Sequence, residues 1–265
     1  MNDFNQRMKQ TLNVAQKMAA ERDITLSLFV EDLKSGGSIQ FQEELVHSGA
    51  STIKTPLMMA VLEEEGRGFT FSDLVELSET NKVDSSVVTQ IGEGKYTISE
   101  YLQWMMLESC NASTNVLIDL VGYERVNRIF DELHMPGSIL QRKMMDVEAR
   151  ARGVDNTTTA KDMASLLRTI YRREYFKEAS CEAAIALMKR CRDARLLKRF
   201  LPQDLPFAHK TGGLDEVSHD TGIFFGKDRD VLMCALTTSV SGSEIKLLRE
   251  QTIGHIGRWL LKEEI

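Results

Sequence analysis

The sequence lacks long apolar runs. No stretch reaches the roughly eighteen apolar residues that a membrane-spanning helix needs, and the N-terminal segment carries charges where a signal peptide is apolar. We therefore expect no membrane span. The sequence as it stands predicts a cytoplasmic protein, with an exported form that has lost its signal as the alternative.

Cysteine, proline and clustered positive charge are also scarce. The four cysteines have no CxxC spacing and no histidine pair has the spacing of metal ligands, so we expect reduced thiols, no metal and no other cofactor. The net charge is −6 and the basic residues are scattered, which argues against nucleic acid as a partner. With four prolines and no internal repeat, nothing indicates a flexible linker.

What remains is the composition of a globular protein of enzyme size, with 265 residues of which 42% are hydrophobic. Apolar periodicity predicts, at the start of the chain, a helix at 4–21 and a strand at 24–30. Near its end the same patterns predict three strands and a helix, at 206–211, 217–225, 231–240 and 243–262. Residues 51–192 show helical periodicity with polar breaks at 66–71, 92–96 and 153–159.

This order predicts an α+β fold. Strands from both termini would form one five-stranded antiparallel sheet in an α/β lobe of residues 1–48 and 195–265. Residues 49–194 would form an inserted all-helical lobe, with the active site in the cleft between the lobes. A monomer is favoured, although the sequence does not determine the oligomeric state.

Three short motifs occur along the chain. They are Ser51-Thr52-Ile53-Lys54, Ser109-Cys110-Asn111 and Lys210-Thr211-Gly212-Gly213. Each is weak alone, and Ser243-Glu244-Ile245-Lys246 is a second serine-x-x-lysine match. We interpret Ser243 as the N-cap of the closing helix.

Ser51 has surroundings that suit a nucleophile. It opens an apolar helix, where unpaired N–H groups and the helix dipole stabilise developing negative charge. Lys54 lies one turn further on the same face, so its amine can reach the Ser51 hydroxyl. A lysine kept neutral by burial and nearby positive charge can accept the hydroxyl proton.

Together the motifs resemble the signature of the class A β-lactamases and their relatives among the penicillin-binding proteins. The resemblance covers nearly the whole chain and includes Tyr96–Ile118, similar to the helix that leads through the second motif, and Asn156–Leu167, similar to the segment after the Ω-loop. It implies a serine hydrolase that acts on a small-molecule or peptide substrate.

The resemblance also implies a role for each motif residue. Ser51 would be the nucleophile, Lys54 its proton acceptor and Ser109 the relay to the leaving nitrogen. Asn111 would bind the substrate's side-chain amide, and Lys210 and Thr211 its carboxylate. Gly212 would leave the strand edge open, and the N–H groups of Ser51 and Gly213 would form the oxyanion hole.

The match departs from the family at several positions. Cys110 replaces an aspartate that braces the loop, and Asn156 replaces the acidic residue that closes the Ω-loop. The position of the deacylating glutamate falls near Lys143, so Asp146 and Glu148 are the candidate bases, unless both are ordinary surface charges.

The strand 217–225 lacks the arginine that class A enzymes use to bind the substrate carboxylate. His219 beside Asp220 is predicted instead as an auxiliary orienting pair at the cleft.

Three functions fit this sequence. The first is a β-lactamase that forms an acyl-enzyme at Ser51, with slow deacylation because the base is displaced. The second is a related peptidase or esterase acting on D-amino-acid peptides or esters. The third is a non-catalytic penicillin-binding or sensor module, against which the intact set of Ser51, Lys54, Ser109 and Lys210 argues.

Overall fold

The structure of the protein, a computed structural model, describes residues 3–92 and 94–262. Glu93, within the predicted break at 92–96, and the outermost residues of the predicted α/β lobe, 1–2 and 263–265, lie outside the described residues. In the described part, no helix is both long enough and apolar enough to cross a membrane.

Helices account for much of the described chain. In chain order, the α-helices are α1 (Asp3–Glu21), α2 (Lys54–Glu64), α3 (Val87–Ile91), α4 (Ile98–Leu107), α5 (Asn111–Val121), α6 (Tyr123–Glu132), α7 (Val147–Ala151), α8 (Ala160–Arg172), α9 (Glu178–Met188) and α10 (Lys246–Leu261). Short 3₁₀ helices span Ala50–Ile53, Glu79–Asn81 and Gly242–Ile245.

The strands are β1 (Thr25–Asp32), β2 (Ser38–Phe41), β3 (His47–Ser48), β4 (Leu74–Glu76), β5 (Lys95–Thr97), β6 (Thr157–Thr158), β7 (Phe207–Gly213), β8 (Val217–Phe225) and β9 (Asp230–Thr238). Five of them form one sheet in the order β2-β1-β9-β8-β7. Every neighbouring pair in this sheet is antiparallel. The predicted α+β fold, with strands from both ends of the chain, is confirmed.

The large sheet is covered on both faces, and its strands alternate between two cores. In β1, Leu26, Leu28 and Val30 pack into the core that includes α1 and α10. Phe29 points the other way, into the core shared with the middle helices. Because successive side chains of a strand alternate, a sheet covered on both faces produces strands that read as continuous apolar runs.

Helix α2 is the central helix of the middle segment. Ten of its eleven residues are buried, including the charged Lys54 and Glu63. Such a helix has no polar face because other helices surround it. Pro56 is tolerated because it lies in the first turn, where its missing N–H leaves no helical hydrogen bond unmade. Lys54 is thereby buried at the helix end nearest β7.

The middle segment differs from the all-helical lobe that we predicted. It contains β4 paired with β5, and β6 paired with β3. These strands are two or three residues long and pair with distant segments, so local periodicity could not reveal them. The division into lobes at residues 48 and 195 stays a prediction.

Ser243 also differs from its predicted role. It lies inside the 3₁₀ helix Gly242–Ile245, and α10 begins only at Lys246 without a side-chain cap. The N-cap interpretation of Ser243 was therefore wrong.

Candidate active site

A cleft of about 500 Å³ lies where the start of α2, the start of α5 and the edge strand β7 converge. Ser51, Ser109 and Asn111 line it from the helical side. Thr211, Gly212 and Gly213 line it from β7. The cleft therefore brings together residues of the three sequence motifs, which are separated by more than fifty residues along the chain.

Ser51 lies in the 3₁₀ turn Ala50–Ile53, one turn before α2, and not at the first residue of the α-helix as we predicted. The preceding Ala50 has a φ of 43°, a left-handed conformation that costs energy for a residue with a side chain. Thr52 closes the turn, because its N–H and its hydroxyl both donate to the Gly49 carbonyl at 3.0 and 2.6 Å. The turn holds Ser51 partly exposed at the cleft.

Lys54 is completely buried beneath this turn. Its Nζ donates to the Ser109 carbonyl at 2.6 Å, to Ser109 Oγ at 3.0 Å and to Asn111 Oδ1 at 2.9 Å. Burial lowers the pKa of Lys54 well below its usual range, and the charge of Lys210 lowers it further. Lys54 is thus held in place, and its amine loses its proton more readily than that of an exposed lysine.

Ser109 bridges two lysines. Its Oγ accepts from Lys54 Nζ at 3.0 Å and from Lys210 Nζ at 3.1 Å. Lys210 is also buried, and this burial lowers its pKa, against the opposing effect of negative charge at Cys191 and two aspartates. Two buried ammonium groups on one hydroxyl repel each other, so a state with one neutral lysine is favoured. Such a bridge can move a proton between the lysines through a hydroxyl that faces the cleft.

The loop that carries Ser109 is held by groups other than an aspartate. Ser109 has a φ of 54°, and the Cys110 sulfur caps α5 by accepting from the Ser113 N–H at 3.5 Å and the Ser113 hydroxyl at 3.1 Å. A neighbouring segment adds an acceptor, because Ser86 Oγ accepts from the Ala112 N–H at 2.8 Å. The expectation that this loop is braced differently from the family pattern agrees with these contacts.

Gly212 allows β7 to approach Ser51. A Cβ atom on Gly212 would lie 3.1 Å from the backbone nitrogens of Ser51 and Thr52. Any side chain there would push the strand away from the 3₁₀ turn. Ser51 and the next strand residue, Gly213, both line the cleft at this close approach.

Asp193 is a site residue that the sequence motifs did not reveal. Thr211 Oγ1 donates to its carboxylate at 3.0 Å, and Arg195 forms an ion pair with it at 2.9 Å. Burial raises the pKa of Asp193, but the hydrogen bonds and charge of Arg195 and the Thr211 hydroxyl lower it to about 2. An ionised carboxylate therefore lies beside the hydroxyl that was predicted to bind a substrate carboxylate.

Residues 140–156 form the loop across the cleft from β7. Asn156 closes it, since its Oδ1 accepts from the N–H groups of Gln141 and Arg142 at 2.9 and 3.0 Å. Arg142 and Asp155 add an ion pair at 2.7 Å. The acidic residue expected at position 156 is thus Asp155, one residue earlier. Its place next to Asn156 in the sequence could have identified it.

The two predicted deacylation bases have different positions. Asp146 lines the cleft, but one of its oxygens caps α7 by accepting from the Ala149 N–H at 2.9 Å. Glu148 is not brought to the cleft, because its side chain is 87% exposed and faces Arg152.

Met144 and Met145 also line the cleft. Asn115 holds Met144 by accepting from its N–H at 2.7 Å and donating to its carbonyl at 3.2 Å.

His219 and Asp220 do not form the predicted pair, because adjacent strand residues point to opposite faces of the sheet. His219 is buried and bonds the Ser48 carbonyl at 2.8 Å and the Thr237 N–H at 3.2 Å. Asp220 instead bonds His209 Nδ1 at 2.8 Å. His219 therefore braces the strand that leads to Ser51 and does not line the cleft.

Within residues 3–92 and 94–262, no three His, Cys, Asp or Glu side chains cluster as metal ligands would. The cleft instead offers a partly exposed hydroxyl, two buried amines on a bridging hydroxyl, and an open strand edge. This arrangement is suited to attack by an oxygen nucleophile on an acyl group.

The chain belongs to the β-lactamase enzyme family, whose model matches residues 7–263. It is similar to a β-lactamase of solved structure from Sphaerobacter thermophilus, with 25% identity, 96% of each chain covered and a TM-score of 0.86. A search of curated proteins finds no match.

Two further solved structures share the fold. PBP-A is 24% identical over 96% of each chain with a TM-score of 0.82. An ancestral class A β-lactamase is 22% identical over 96% of this chain and 99% of its own, with a TM-score of 0.86. With the family match, these likenesses identify the protein as a serine hydrolase of the β-lactamase type.

Proposed function

We propose that Ser51 attacks the carbonyl of a β-lactam, opens the ring and forms an acyl-enzyme that is released slowly. The observation that carries this proposal is the bridge from Lys54 through Ser109 Oγ to Lys210, both amines buried, beside a cleft lined by Ser51. A scaffold without chemistry has no need to bury two amines around one hydroxyl, because burial of an amine costs free energy.

Acylation then proceeds with three proton transfers. Lys54 in its neutral form takes the Ser51 proton as Oγ bonds to the carbonyl carbon. The carbon–nitrogen bond of the ring breaks, and Ser109 gives its proton to the departing nitrogen while it regains one from the ammonium of Lys54. The proton lost by Ser51 thus ends on the ring nitrogen.

Substrate binding uses the opening between the 3₁₀ turn and β7. The N–H groups of Ser51 and Gly213 stabilise the oxyanion, where one lost donor typically costs ~2–4 kcal/mol of transition-state stabilisation. Asn111 binds the side-chain amide. Lys210 and Thr211 bind the carboxylate, although the Thr211 hydroxyl is shared with Asp193.

Deacylation is the weak step of this scheme. It needs a water polarised by a base near the ester. Asp146, the N-cap residue of α7, lines the cleft and carries a carboxylate that could be this base. Because one Asp146 oxygen is occupied by the Ala149 N–H, only the other is free to act. Met144 and Met145 beside it offer no base.

The nucleophile is tested by labelling with a fluorescent penicillin and mapping the adduct. Ser51→Ala should abolish the label, whereas Ser243→Ala, which removes the exposed serine of the second match, should leave it unchanged. An adduct on Ser51→Ala, or loss of label in Ser243→Ala, would refute the assignment.

Hydrolysis of peptides or esters is the second candidate. It is favoured by the Asp193 carboxylate beside Thr211 and by the absence of arginine from the β8 sequence, since both weaken recognition of a β-lactam carboxylate. Turnover of a D-alanyl ester or thioester that has no free carboxylate, at a higher kcat/KM than any penicillin, would establish it. A label that forms and is never released would favour a sensor.

A further inference from the structure

A second cluster of reactive side chains lies on the opposite face of β7 from Lys210. His209 precedes Lys210 in the strand, so their side chains project to opposite sides. His209 Nδ1 is 2.8 Å from Asp220 Oδ1, and both residues are buried. The other Asp220 oxygen accepts from the Leu197 N–H at 3.0 Å. The imidazole is thus oriented by a carboxylate that is itself fixed.

Cys191 completes this cluster. Its thiol lies next to the His209 ring, close enough for the two groups to interact, and because Nδ1 serves Asp220, the other ring nitrogen is the one available to sulfur. The order thiol, imidazole and carboxylate is that of an activated cysteine, in which the base is oriented by a third group. We call Cys191, His209 and Asp220 the thiol triad.

The thiol is accessible, unlike the other cysteines. Cys191 is partly exposed and lines a pocket of about 380 Å³ together with Ser109, Lys210 and Thr211. The three other cysteines, Cys110, Cys181 and Cys234, are fully buried. Ser109 and Thr211 also line the main cleft, so a group attached to Cys191 would lie against the same residues.

The charges around Cys191 favour its thiolate. Burial raises the pKa of this thiol, but the hydrogen bond to His209 and the positive charges of His209 and Lys210 outweigh burial and lower it. Burial lowers the pKa of His209, while the charge and hydrogen bond of Asp220 raise it to about 10. In contrast, burial raises the pKa of Cys181 to about 11.

The other charged groups of the pocket largely neutralise one another. Arg192 pairs with Glu108 at 3.1 Å, and Arg195 pairs with Asp193 at 2.9 Å. His209, Lys210 and Asp220 therefore remain as the groups that decide the ionisation of Cys191.

We propose that Cys191 is a modification site, at which the thiolate of the triad exchanges with low-molecular-weight disulfides and thereby obstructs the Ser51 cleft. The thiolate attacks one sulfur of the disulfide, a Cys191–S–S–R bond forms, and the original S–S bond breaks with release of R–S⁻. No further oxidant is needed, and excess thiol reverses the exchange. The modification is independent of the proposed function, whereas the obstruction rests on it.

The first test measures modification alone. Native protein is treated with oxidised glutathione or with iodoacetamide, and the adduct is mapped by mass spectrometry. We expect one adduct at Cys191, retained in Cys181→Ser and absent in Cys191→Ser, with an alkylation rate that rises at a pH below that of an ordinary thiol. Equal reaction of all four cysteines, or an inflection at the ordinary thiol pKa, would overturn the proposal.

The variant His209→Asn tests whether His209 promotes ionisation of the Cys191 thiol or only supports the fold. Without the imidazolium, alkylation at pH 7 should slow about tenfold, while the rate at high pH, where the thiol is ionised in both proteins, should match the wild type. An unchanged rate at pH 7 would contradict a role for His209. If this variant fails to fold, the wild-type pH profile decides the question alone.

The second test measures obstruction. The glutathione adduct should slow labelling of Ser51 by a fluorescent penicillin at least several-fold, and a reducing thiol should restore it, while Cys191→Ser should label normally with or without oxidised glutathione. Unchanged labelling of the adduct would overturn obstruction. If untreated protein does not label, the proposed function fails and obstruction fails with it, but the mapped adduct still decides the modification.

Discussion

The two sides of the cleft contrast in how far they keep the groups that acyl transfer requires. On one side, Lys54, Ser109 and Lys210 form a hydrogen-bonded chain with two buried amines, and Ser51 lines the cleft beside it. On the other, the loop at 140–156 presents Met144, Met145 and a carboxylate engaged as a helix cap. We call these the acylation side and the loop side.

The contrast follows from how each side is built. Residues of the acylation side lie in the 3₁₀ turn Ala50–Ile53, on α2, in the loop before α5 and on β7, and the helices and strand are fixed by packing. The loop side is held mainly by side-chain hydrogen bonds, from Asn156, Asn115 and the Arg142–Asp155 pair. A loop can change its cleft-facing residues at little cost to the core, so formation of an acyl-enzyme and its release can be separated.

The largest effect is expected from Lys210→Ala on the acylation side. The variant loses the charge next to Ser109 and the predicted carboxylate contact, so kcat/KM for acylation should fall about 10²–10³-fold, or ~2.7–4 kcal/mol. Stopped-flow kinetics with a penicillin would measure this loss, and thermal unfolding would control for folding. Unchanged kinetics would remove Lys210 from the site.

The brace beneath the acylation side predicts a pH dependence of stability. Burial lowers the pKa of His47 to about 3, aided by the charge of His219, and burial lowers the pKa of His219 to about 4. Below about pH 6.5 the unfolded chain binds protons that the folded protein does not, so stability present above that pH is lost as the pH falls.

His47 and His219 should each contribute a loss of about 2 kcal/mol between pH 7 and pH 5, whereas His209, whose pKa is raised, contributes in the opposite direction in both proteins. Urea unfolding at both values would measure it. His47→Gln should lose about 2 kcal/mol less than the wild type over this interval, since it retains only the second histidine. Equal losses in the two proteins would show that His47 is not held neutral.

The variant Met144→Glu gives the loop side a carboxylate that could act as the base for deacylation. Asn115 fixes the backbone of residue 144 at the cleft, so a carboxylate there could polarise a water near the ester. Release of the acyl group should accelerate about tenfold, less than the 10²–10⁴ that a well-positioned base supplies. Ala151→Glu, at an exposed position of α7 that does not line the cleft, is the matched control and should have no such effect. Equal acceleration in both variants would contradict the account.

The smallest effect is expected from Asp193→Asn. Removing this charge, while an amide oxygen remains as a neutral acceptor for the Thr211 hydroxyl, should improve acylation by carboxylate-bearing penicillins about fivefold, the ~1 kcal/mol typical of a charge pair near the surface. An uncharged ester of the same penicillin should show no gain. A gain for both compounds would mean that Asp193 acts on the cleft in another way.

The sequence predicted the acylation side better than the loop side. Spacing alone placed Lys54 one turn from Ser51, because short spacings on regular elements determine local geometry, whereas the convergence of the three motifs was implied by the resemblance to the class A family. The pairing of His209 with Asp220 was missed because it depends on the register of β7 against β8, where His209 lies opposite Gly222. Only a glycine fits there, since a Cβ would lie 2.5 Å from His209.

The loop side was the least predictable. Counting residues back from Asn156 could not show that Asp146 faces the cleft while Glu148, two residues later, faces solvent. That outcome depends on the short helix α7 and on contacts with Asn115, which lies far away in the sequence. Cys191 gave no sequence signal, because its partners come from other segments.

The separation of acylation from release is tested most directly by intact mass spectrometry of the wild-type protein over time after mixing with a penicillin. The account predicts a burst close to one equivalent, with the Ser51 acyl-enzyme persisting for minutes or longer before free protein returns. Rapid steady-state hydrolysis without a detectable adduct would contradict it.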